Sequence, residues 1–178
     1  IMKVQSVGLL EEELKNFITN PETTNDLRQA VKLANNILIH DEKSNYANYA
    51  IALHEVAYAN KLAPLSDFSK AINLLETIIK NDPNFIEAYL MLAKIHKDTN
   101  RPKEIEILIE ANKKFPDNYL IMYDLGMAQL FFTGFKEEAL FLFSKCVEKL
   151  PQIPNADQAT WNRIRIIPFE STFTDSAP

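Results

Sequence analysis

Residues 83–97 read PNFIEAYLMLAKIHK, and the same pattern returns 33 residues later as PDNYLIMYDLGMAQL. Leu92-Ala93 in the first copy corresponds to Leu125-Gly126 in the second, and each copy opens on a proline. That proline recurs once more, as Pro151, which follows the one at position 116 by 35 residues. A period of about 34 residues indicates stacked helical hairpins, in which each repeat packs on its neighbours and the array displays a groove.

The spacing also locates where the repeats differ in length. The second arms are 35 residues apart from Leu108 to Phe143, and the first arms are 41 residues apart from Ala52 to Ala93. Relative to a period of 33, the third hairpin carries two extra residues and the first carries eight, between residues 60 and 68. Both insertions fall in turns, where hairpin repeats tolerate changes in length.

Helical periodicity runs through the chain, and no convincing alternating strand is present. Capping residues and prolines predict the helix ends. Asn84 with Glu87 is typical of a capping pair, Asn100 precedes a proline in the first turn of its helix, and Asn118 caps the next. The predicted helices cover residues 9–17, about 26–38, 45–60, 67–81, 84–97, 100–115, 118–132 and 136–149, with Gly134 in the last turn.

The recurring positions resemble the tetratricopeptide repeat, whose pattern is an aromatic, then Leu-Gly, then Tyr, later Ala-x3-Phe and a closing Pro. Small first-arm residues let the two arms of a hairpin approach closely, and bulky second-arm residues fill the space between hairpins. The signature aromatic is kept only as Tyr89, and the signature Tyr is replaced. The three copies are Asn48, Ile51, Ala52, Glu55, Ala71, Leu75, Ile78 and Pro83; Tyr89, Leu92, Ala93, His96, Glu104, Leu108, Ala111 and Pro116; and Met122, Leu125, Gly126, Gln129, Ala139, Phe143, Cys146 and Pro151.

The resemblance implies an all-α fold, a right-handed solenoid of tetratricopeptide-type helical hairpins. Three hairpins cover residues 45–153, and residues 1–44 form a divergent N-terminal helical pair. Residues 154–178 are predicted to hold a C-terminal capping helix and a tail, because a repeat array needs its last apolar face covered.

In tetratricopeptide proteins the first arm of each hairpin lines the concave face, so the resemblance also implies a binding site. Residues at three- and four-residue steps lie on one face of each arm. Lys94 alone is placed to contact an anion, so a carboxylate clamp is not expected. The remaining apolar, aromatic and Met-lined groove suits an amphipathic helix or an extended apolar segment. The predicted partner-binding residues are Tyr46, Tyr49, Leu53, Leu90, Lys94, Tyr123, Met127 and Leu130.

The C-terminal segment is open to two interpretations. Either Asp157 to Arg165 forms a capping helix, or Ile164 to Phe173 folds back into the chain's own groove or enters that of a neighbour. The second interpretation depends on an apolar tail lying beside an apolar groove, and it implies a homo-oligomer when the groove is a neighbour's.

Composition argues against several classes of function. The chain has 178 residues and a formal net charge of −5, so no nucleic-acid partner is expected. Three glycines and the absence of Gly-Lys-Ser/Thr and Gly-x-Ser-x-Gly disfavour a phosphate loop and a hydrolase nucleophile. His40, His54 and His96 share no metal-ligand spacing with Cys146, which is predicted to be a buried, inert thiol. We therefore expect no catalytic residues, no metal and no cofactor.

The compartment is predicted only by default. The sequence has no run of 18 apolar residues, so no direct membrane insertion is expected. We take the chain to be cytoplasmic, and its first residue, Ile1, leaves a removed signal peptide or a trimmed start open.

These observations predict a non-catalytic protein–protein interaction module, an adaptor or assembly factor with a protein or peptide partner. Three alternatives stay open. The chain could be a chaperone-like holder of a secreted or membrane client, a self-assembling structural scaffold that uses its C-terminal tail, or the repeat portion of a larger enzyme.

Overall fold

The computed structural model describes residues 2–19, 24–61 and 67–149, and the predicted C-terminal capping helix and tail lie outside these ranges. Over the described residues the backbone forms helices and turns and no strand, which confirms the all-α prediction. The helices are α1 (Met2–Thr19), α2 (Thr24–Leu38), α3 (Asn45–Lys61), α4 (Ser69–Asn81), α5 (Ile86–Thr99), α6 (Arg101–Lys114), α7 (Tyr119–Ala128) and α8 (Lys136–Lys149), with a π-helical turn (Gln129–Thr133) after α7.

Each helix packs mainly on the helices that precede and follow it in the chain, and α1 also contacts α3. Short connections make consecutive helices antiparallel, so the result is a solenoid of helical hairpins. None of the described helices is long and apolar enough to cross a membrane.

Among the residues that the structure describes, the buried apolar side chains form two clusters that meet at α3. The larger extends from α3 to α8 and includes the fully buried Leu75 and Leu108. The smaller joins α1, α2 and α3 around Leu14 and Ile37, which are also fully buried. Because α3 contributes side chains to both clusters, the N-terminal helices extend the same stack.

The small residues of the first arms mark places where two helices cross closely. Ala52 and Ala93 are buried, as predicted. A Cβ added to Gly126 would lie 2.7 Å from Cε1 of Phe143, closer than two carbons can approach without displacement. The close approach inferred from the repeat pattern is therefore confirmed.

The predicted cap at Asn118 is confirmed, and Asn100, predicted at the start of its helix, caps that helix as well. The backbone N–H of Lys103 donates to Oδ1 of Asn100 at 3.3 Å. The backbone N–H groups of Leu120 and Ile121 donate to Oδ1 of Asn118 at 3.0 and 3.2 Å. Each side chain thus satisfies donors that the first turn of a helix leaves unpaired.

The capping pair predicted at Asn84 and Glu87 is wrong. α5 begins after Phe85 without a side-chain cap. The ring of Phe85 is buried, with its centroid 5.1 Å from that of Tyr46 and 5.3 Å from that of Tyr49. Burial of this ring against α3 fixes where α5 starts, and the polar cap is not needed.

The extra residues of the third hairpin are accommodated by the π-helical turn. Its last residue, Thr133, donates from Oγ1 to the carbonyl oxygen of Gln129 at 2.9 Å. Gly134 follows with a φ of 72°, a left-handed conformation that costs glycine little. This widened turn leaves Phe131 and Phe132 exposed beside the first arms.

Candidate binding groove

The first arms enclose a groove of about 1080 Å³, which we call the concave groove. Its walls come from α5, α7 and the π-helical turn, with one side chain from α3 and several from α6. The lining residues are Tyr49, Glu87, Leu90, Met91, Ala93, Lys94, Lys97, Asp98, Arg101, Glu104, Leu108, Leu120, Tyr123, Asp124, Met127, Ala128, Phe131 and Phe132.

Five of the eight predicted partner-binding residues line this groove: Tyr49, Leu90, Lys94, Tyr123 and Met127. They come together because residues at steps of three and four share a face on α5 and on α7. Partner binding by these side chains stays a prediction.

The other three predicted residues do not line the groove. The ring of Tyr46 packs edge-on against Phe85, and Nζ of Lys15 lies 4.3 Å from the ring centre of Tyr46. Leu53 packs against the main core, and Leu130 is half-buried in the π-helical turn. The side chains of Tyr46 and Leu53 therefore pack between helices in this structure.

An exposed apolar strip runs along the α7 side of the groove. Leu120 and Tyr123 are 47% and 48% exposed, and Met127 is half-buried one turn further on. The ring of Tyr123 rests against Phe143, with centroids 6.0 Å apart. The phenylalanines of the π-helical turn, Phe131 and Phe132, continue the strip with 63% and 50% exposure.

Charged side chains also line the groove: Glu87, Lys94 and Lys97 come from α5, and Asp124 comes from α7. Burial raises the pKa of Asp124, and Lys97 and Lys94 oppose that shift by stabilising the carboxylate. Burial, assisted by the charge of Glu87, raises the pKa of Tyr49 to about 12. The groove therefore combines apolar surface with both acidic and basic side chains.

Arg101 lines the groove and joins the start of α6 to the π-helical turn. Its Nη1 lies 3.0 Å from Oε2 of Glu104, and its Nη2 lies 4.0 Å from Oδ1 of Asp98. The guanidinium carbon also lies 3.8 Å from the ring centre of Phe132. Glu104 is 4% exposed, so Arg101 compensates a buried carboxylate. The sequence placed Arg101 only at a helix start, because the packing of α6 on the π-helical turn is not local.

Two of the groups considered for chemistry, Cys146 and His96, are withdrawn from solvent to different degrees. Cys146 is buried and burial raises the pKa of its thiol, which donates to the carbonyl oxygen of Tyr119 at 3.3 Å. His96 is half-buried, and burial lowers the pKa of its ring, as does the nearby charge of Lys103. Within the described ranges, no three His, Cys, Asp or Glu side chains are grouped to hold a metal ion.

The fold is similar to that of several solved structures, although no family model matches the chain. A crystal structure of MamA superposes with a TM-score of 0.59 at 22% identity, covering 80% of this chain and 77% of that one. The MamA RS-1 ArsTM double mutant superposes with a TM-score of 0.58 at 19% sequence identity, and the match covers 80% of this chain and 74% of that one. A further MamA crystal structure gives 0.59 at 20%, covering 86% and 82%. This similarity supports a helical-repeat fold of the tetratricopeptide type.

Two curated viral proteins share short segments with the chain. Putative helicase 022R of Frog virus 3 (isolate Goorha) is 51% identical over 41 residues, which is 23% of this chain and 4% of that protein. Putative helicase 184R of Invertebrate iridescent virus 6 is 74% identical over 27 residues, which is 15% of this chain and 3% of that protein. The chain thus spans a few per cent of the length of these relatives.

Proposed function

We propose that this chain is a non-catalytic protein–protein interaction module that binds an apolar helix or extended peptide of a partner in the concave groove. It acts as an adaptor or assembly factor. The observation that carries the proposal is the exposed strip formed by Leu120, Tyr123, Phe131 and Phe132 along a groove of about 1080 Å³. Contiguous apolar surface in a concavity marks an interaction site more often than isolated apolar residues do.

The arrangement fits an amphipathic ligand. Tyr and Met bury large areas and adapt their shape, so the strip can accept side chains at i, i+3 and i+4 of a helix. The charged side chains of Lys94, Lys97 and Asp124 in the groove would then contact the polar side of the ligand and set its orientation. We propose Tyr49, Leu90, Lys94, Tyr123 and Met127 as contact residues.

Selection of displayed peptides on the immobilised chain tests this proposal. We expect enriched sequences to carry apolar residues at helical spacing, and we expect the double substitution Tyr123→Ala/Met127→Ala to remove their binding. Tyr58→Ala is the matched control, because Tyr58 is 56% exposed and lies outside the groove. Equal binding to the wild type and to the double variant would contradict the proposal.

The same selection separates the alternatives. A chaperone-like holder would enrich apolar peptides without a common spacing. A self-assembling scaffold would show concentration-dependent growth in light scattering without any added peptide, whereas an adaptor would stay constant in size.

The segments shared with the two putative helicases support a second candidate, in which the repeats form an interaction module of a helicase-type protein. The identity of 51% over 41 residues is the observation that favours it. Sequencing of the transcript that encodes the chain tests it. We expect one reading frame to join the repeats to an ATPase segment with a Gly-Lys-Ser/Thr loop, and a frame without such a segment contradicts this candidate.

A further inference from the structure

The second hairpin departs from the repeat pattern at one buried position. Ala71 and Ala139 occupy this position in the first and third hairpins, and both are buried. In the second hairpin the position is Glu104, which lies 33 residues after Ala71 and 35 before Ala139. Glu104 is buried as well. A carboxylate at a packing position costs stability unless it is paired, and such departures from a local rule are expected at functional sites.

The partner of Glu104 is Arg101, which lies one turn earlier on α6. Nη1 of Arg101 donates to Oε2 of Glu104 at 3.0 Å. Asp98 is mostly exposed and lies 4.0 Å from Nη2, so it adds little. The backbone of Arg101 is fixed on both sides, because Asn100 caps α6 and Pro102 stands in its first turn. The guanidinium is therefore held in the lining of the concave groove by a carboxylate that is almost withdrawn from solvent.

The guanidinium held in this way contacts the ring of Phe132. Its carbon atom lies 3.8 Å from the ring centre. Phe132 belongs to the π-helical turn, which packs mainly on α7 and α8, the arms of its own hairpin. Arg101 thus links Phe132 to the preceding hairpin. A guanidinium can make both contacts at once, because its edge donates to a carboxylate while its planar face rests on an aromatic ring. A lysine ammonium has no such face.

We infer that Arg101 is a positioning residue of the concave groove, an inference that rests on the proposed function. Glu104 fixes the guanidinium, and the guanidinium holds the half-exposed ring of Phe132 in one orientation, against which a partner helix packs. A ring that is ordered before binding loses less conformational freedom when the partner arrives, so this arrangement increases affinity. The glutamate at a position that otherwise carries alanine is thus explained by binding and not by the packing of the second hairpin.

Fluorine NMR of the full chain tests the contact without any ligand. In Phe132→4-fluorophenylalanine we expect one resonance that is displaced from that of the free amino acid. Arg101→Lys keeps a positive charge beside Glu104 but removes the planar face, so it should move this resonance toward the free position. Glu104→Ala should move it in the same direction while the chain stays folded, because the other two hairpins carry alanine at this position. The same label at Phe131, in the same turn, is the matched control and should shift much less in both variants.

The consequence for binding is measured with the helical peptide that the displayed-peptide selection enriches most on the wild-type chain. Arg101→Lys and Glu104→Ala should each weaken its affinity roughly two- to fivefold, the range expected for a partly exposed cation–π contact. Neither substitution should weaken binding further in a Phe132→Leu background, because the ring that they position is then absent. Circular dichroism should show the helical content of the wild type in every variant.

The outcomes separate this inference from the proposed function. If no peptide is enriched, the proposed function fails, and the resonance of the labelled ring alone decides whether Arg101 holds Phe132. The inference is overturned if Arg101→Lys and Glu104→Ala leave that resonance in place, or if they shift the label at Phe131 equally. It is also overturned if the enriched peptide binds these variants as tightly as the wild type, or if Arg101→Lys weakens binding equally with and without the ring of Phe132.

Discussion

The second hairpin (α5–α6) and the third (α7–α8) follow the same repeat pattern. They differ in the turn between their arms and in the burial of apolar side chains on the second arm. The α5–α6 hairpin turns through the single residue Asn100, and its second arm buries Leu108 completely. The α7–α8 hairpin turns through the π-helical turn, and its second arm leaves Leu140 and Phe141 exposed. The comparison shows that the repeat pattern fixes how arms pack on each other, whereas the position of a hairpin in the stack decides how much apolar surface remains for binding.

The largest expected effect on the free energy of unfolding comes from truncating the bulky residue of a second arm. Leu108 is fully buried and Phe143 is half-buried, so Leu108→Ala should lower the free energy of unfolding by about 2–5 kcal/mol. Phe143→Ala should cost less because part of its ring already faces water. Urea denaturation of the two variants checks this order, and a greater loss at Phe143 would mean that the third hairpin carries more of the stability than its burial indicates.

A smaller effect on the free energy of unfolding is expected for Gly126→Ala, where α7 crosses α8 closely. The sign of this effect should depend on whether the ring of Phe143 is present. Gly126→Ala places a Cβ 2.7 Å from the Phe143 ring, and overpacking of this kind costs about 1–3 kcal/mol. Alanine in a helix is favoured over glycine by about 1 kcal/mol, so the net result should be a modest destabilisation.

The control for Gly126→Ala is the same substitution in a Phe143→Ala background. Without the ring the clash disappears, and the alanine should then stabilise the chain by about 1 kcal/mol. A double-mutant cycle measures this coupling directly. An equal effect of Gly126→Ala in both backgrounds would show that Phe143 is not what requires glycine.

The contributions of the two helix caps, Asn118 and Asn100, to the free energy of unfolding should differ by a few tenths to about 1 kcal/mol. Asn118 accepts two backbone hydrogen bonds at 3.0 and 3.2 Å, and Asn100 accepts one at 3.3 Å. We expect Asn118→Ala to cost about 1 kcal/mol, within the usual range for caps, and Asn100→Ala to cost less. Thermal unfolding compares the two, with Asn84→Ala as a control that should be neutral because Asn84 does not cap α5. A measurable loss at Asn84 would contradict that assignment.

The smallest expected effect is the pH dependence at Asp124, which lies one repeat after Met91. Burial raises the pKa of Asp124 in the folded chain, so the folded state binds its proton more tightly than the unfolded state. Protonation therefore favours folding: this contribution is fully present below the ordinary pKa of 3.8 and is lost as the pH rises through the folded-state value. Asp124→Asn should slightly stabilise the chain at neutral pH, by a small amount because the side chain is partly exposed. The stabilisation should vanish at acid pH in a comparison of urea midpoints, and an Asp124→Asn stabilisation that persists there would show that the charge is not its cause.

Much of the fold could be predicted because its signals are local or periodic. Gly126 and Leu125 recur from Ala93 and Leu92, and Asn118 sits where a cap must precede a helix. The start of α5 could not be predicted in this way. Asn84 has the composition of a cap, but Phe85 buries its ring against two tyrosines of α3, and that contact joins residues almost 40 positions apart.

Part of the lining of the concave groove could be predicted, because part of it follows from the helical spacing within one arm. Helical spacing on one arm is enough to place Leu90 with Lys94, and Tyr123 with Met127, on shared faces. Tyr46 has an equally suitable spacing, yet it is taken up by packing on Phe85 and Lys15. Spacing alone does not show which residues of a face will be covered by another helix.

By itself, the sequence determined the helical arms, their period and the small residues at their crossings, because these depend on contacts within a repeat or between adjacent repeats. Only the tertiary structure decided that Arg101 lines the concave groove against Phe132 and that Phe131 and Phe132 extend its apolar strip. Both depend on contacts between residues far apart in the chain, such as the guanidinium of Arg101 and the ring of Phe132, and such contacts leave no periodic trace in the sequence.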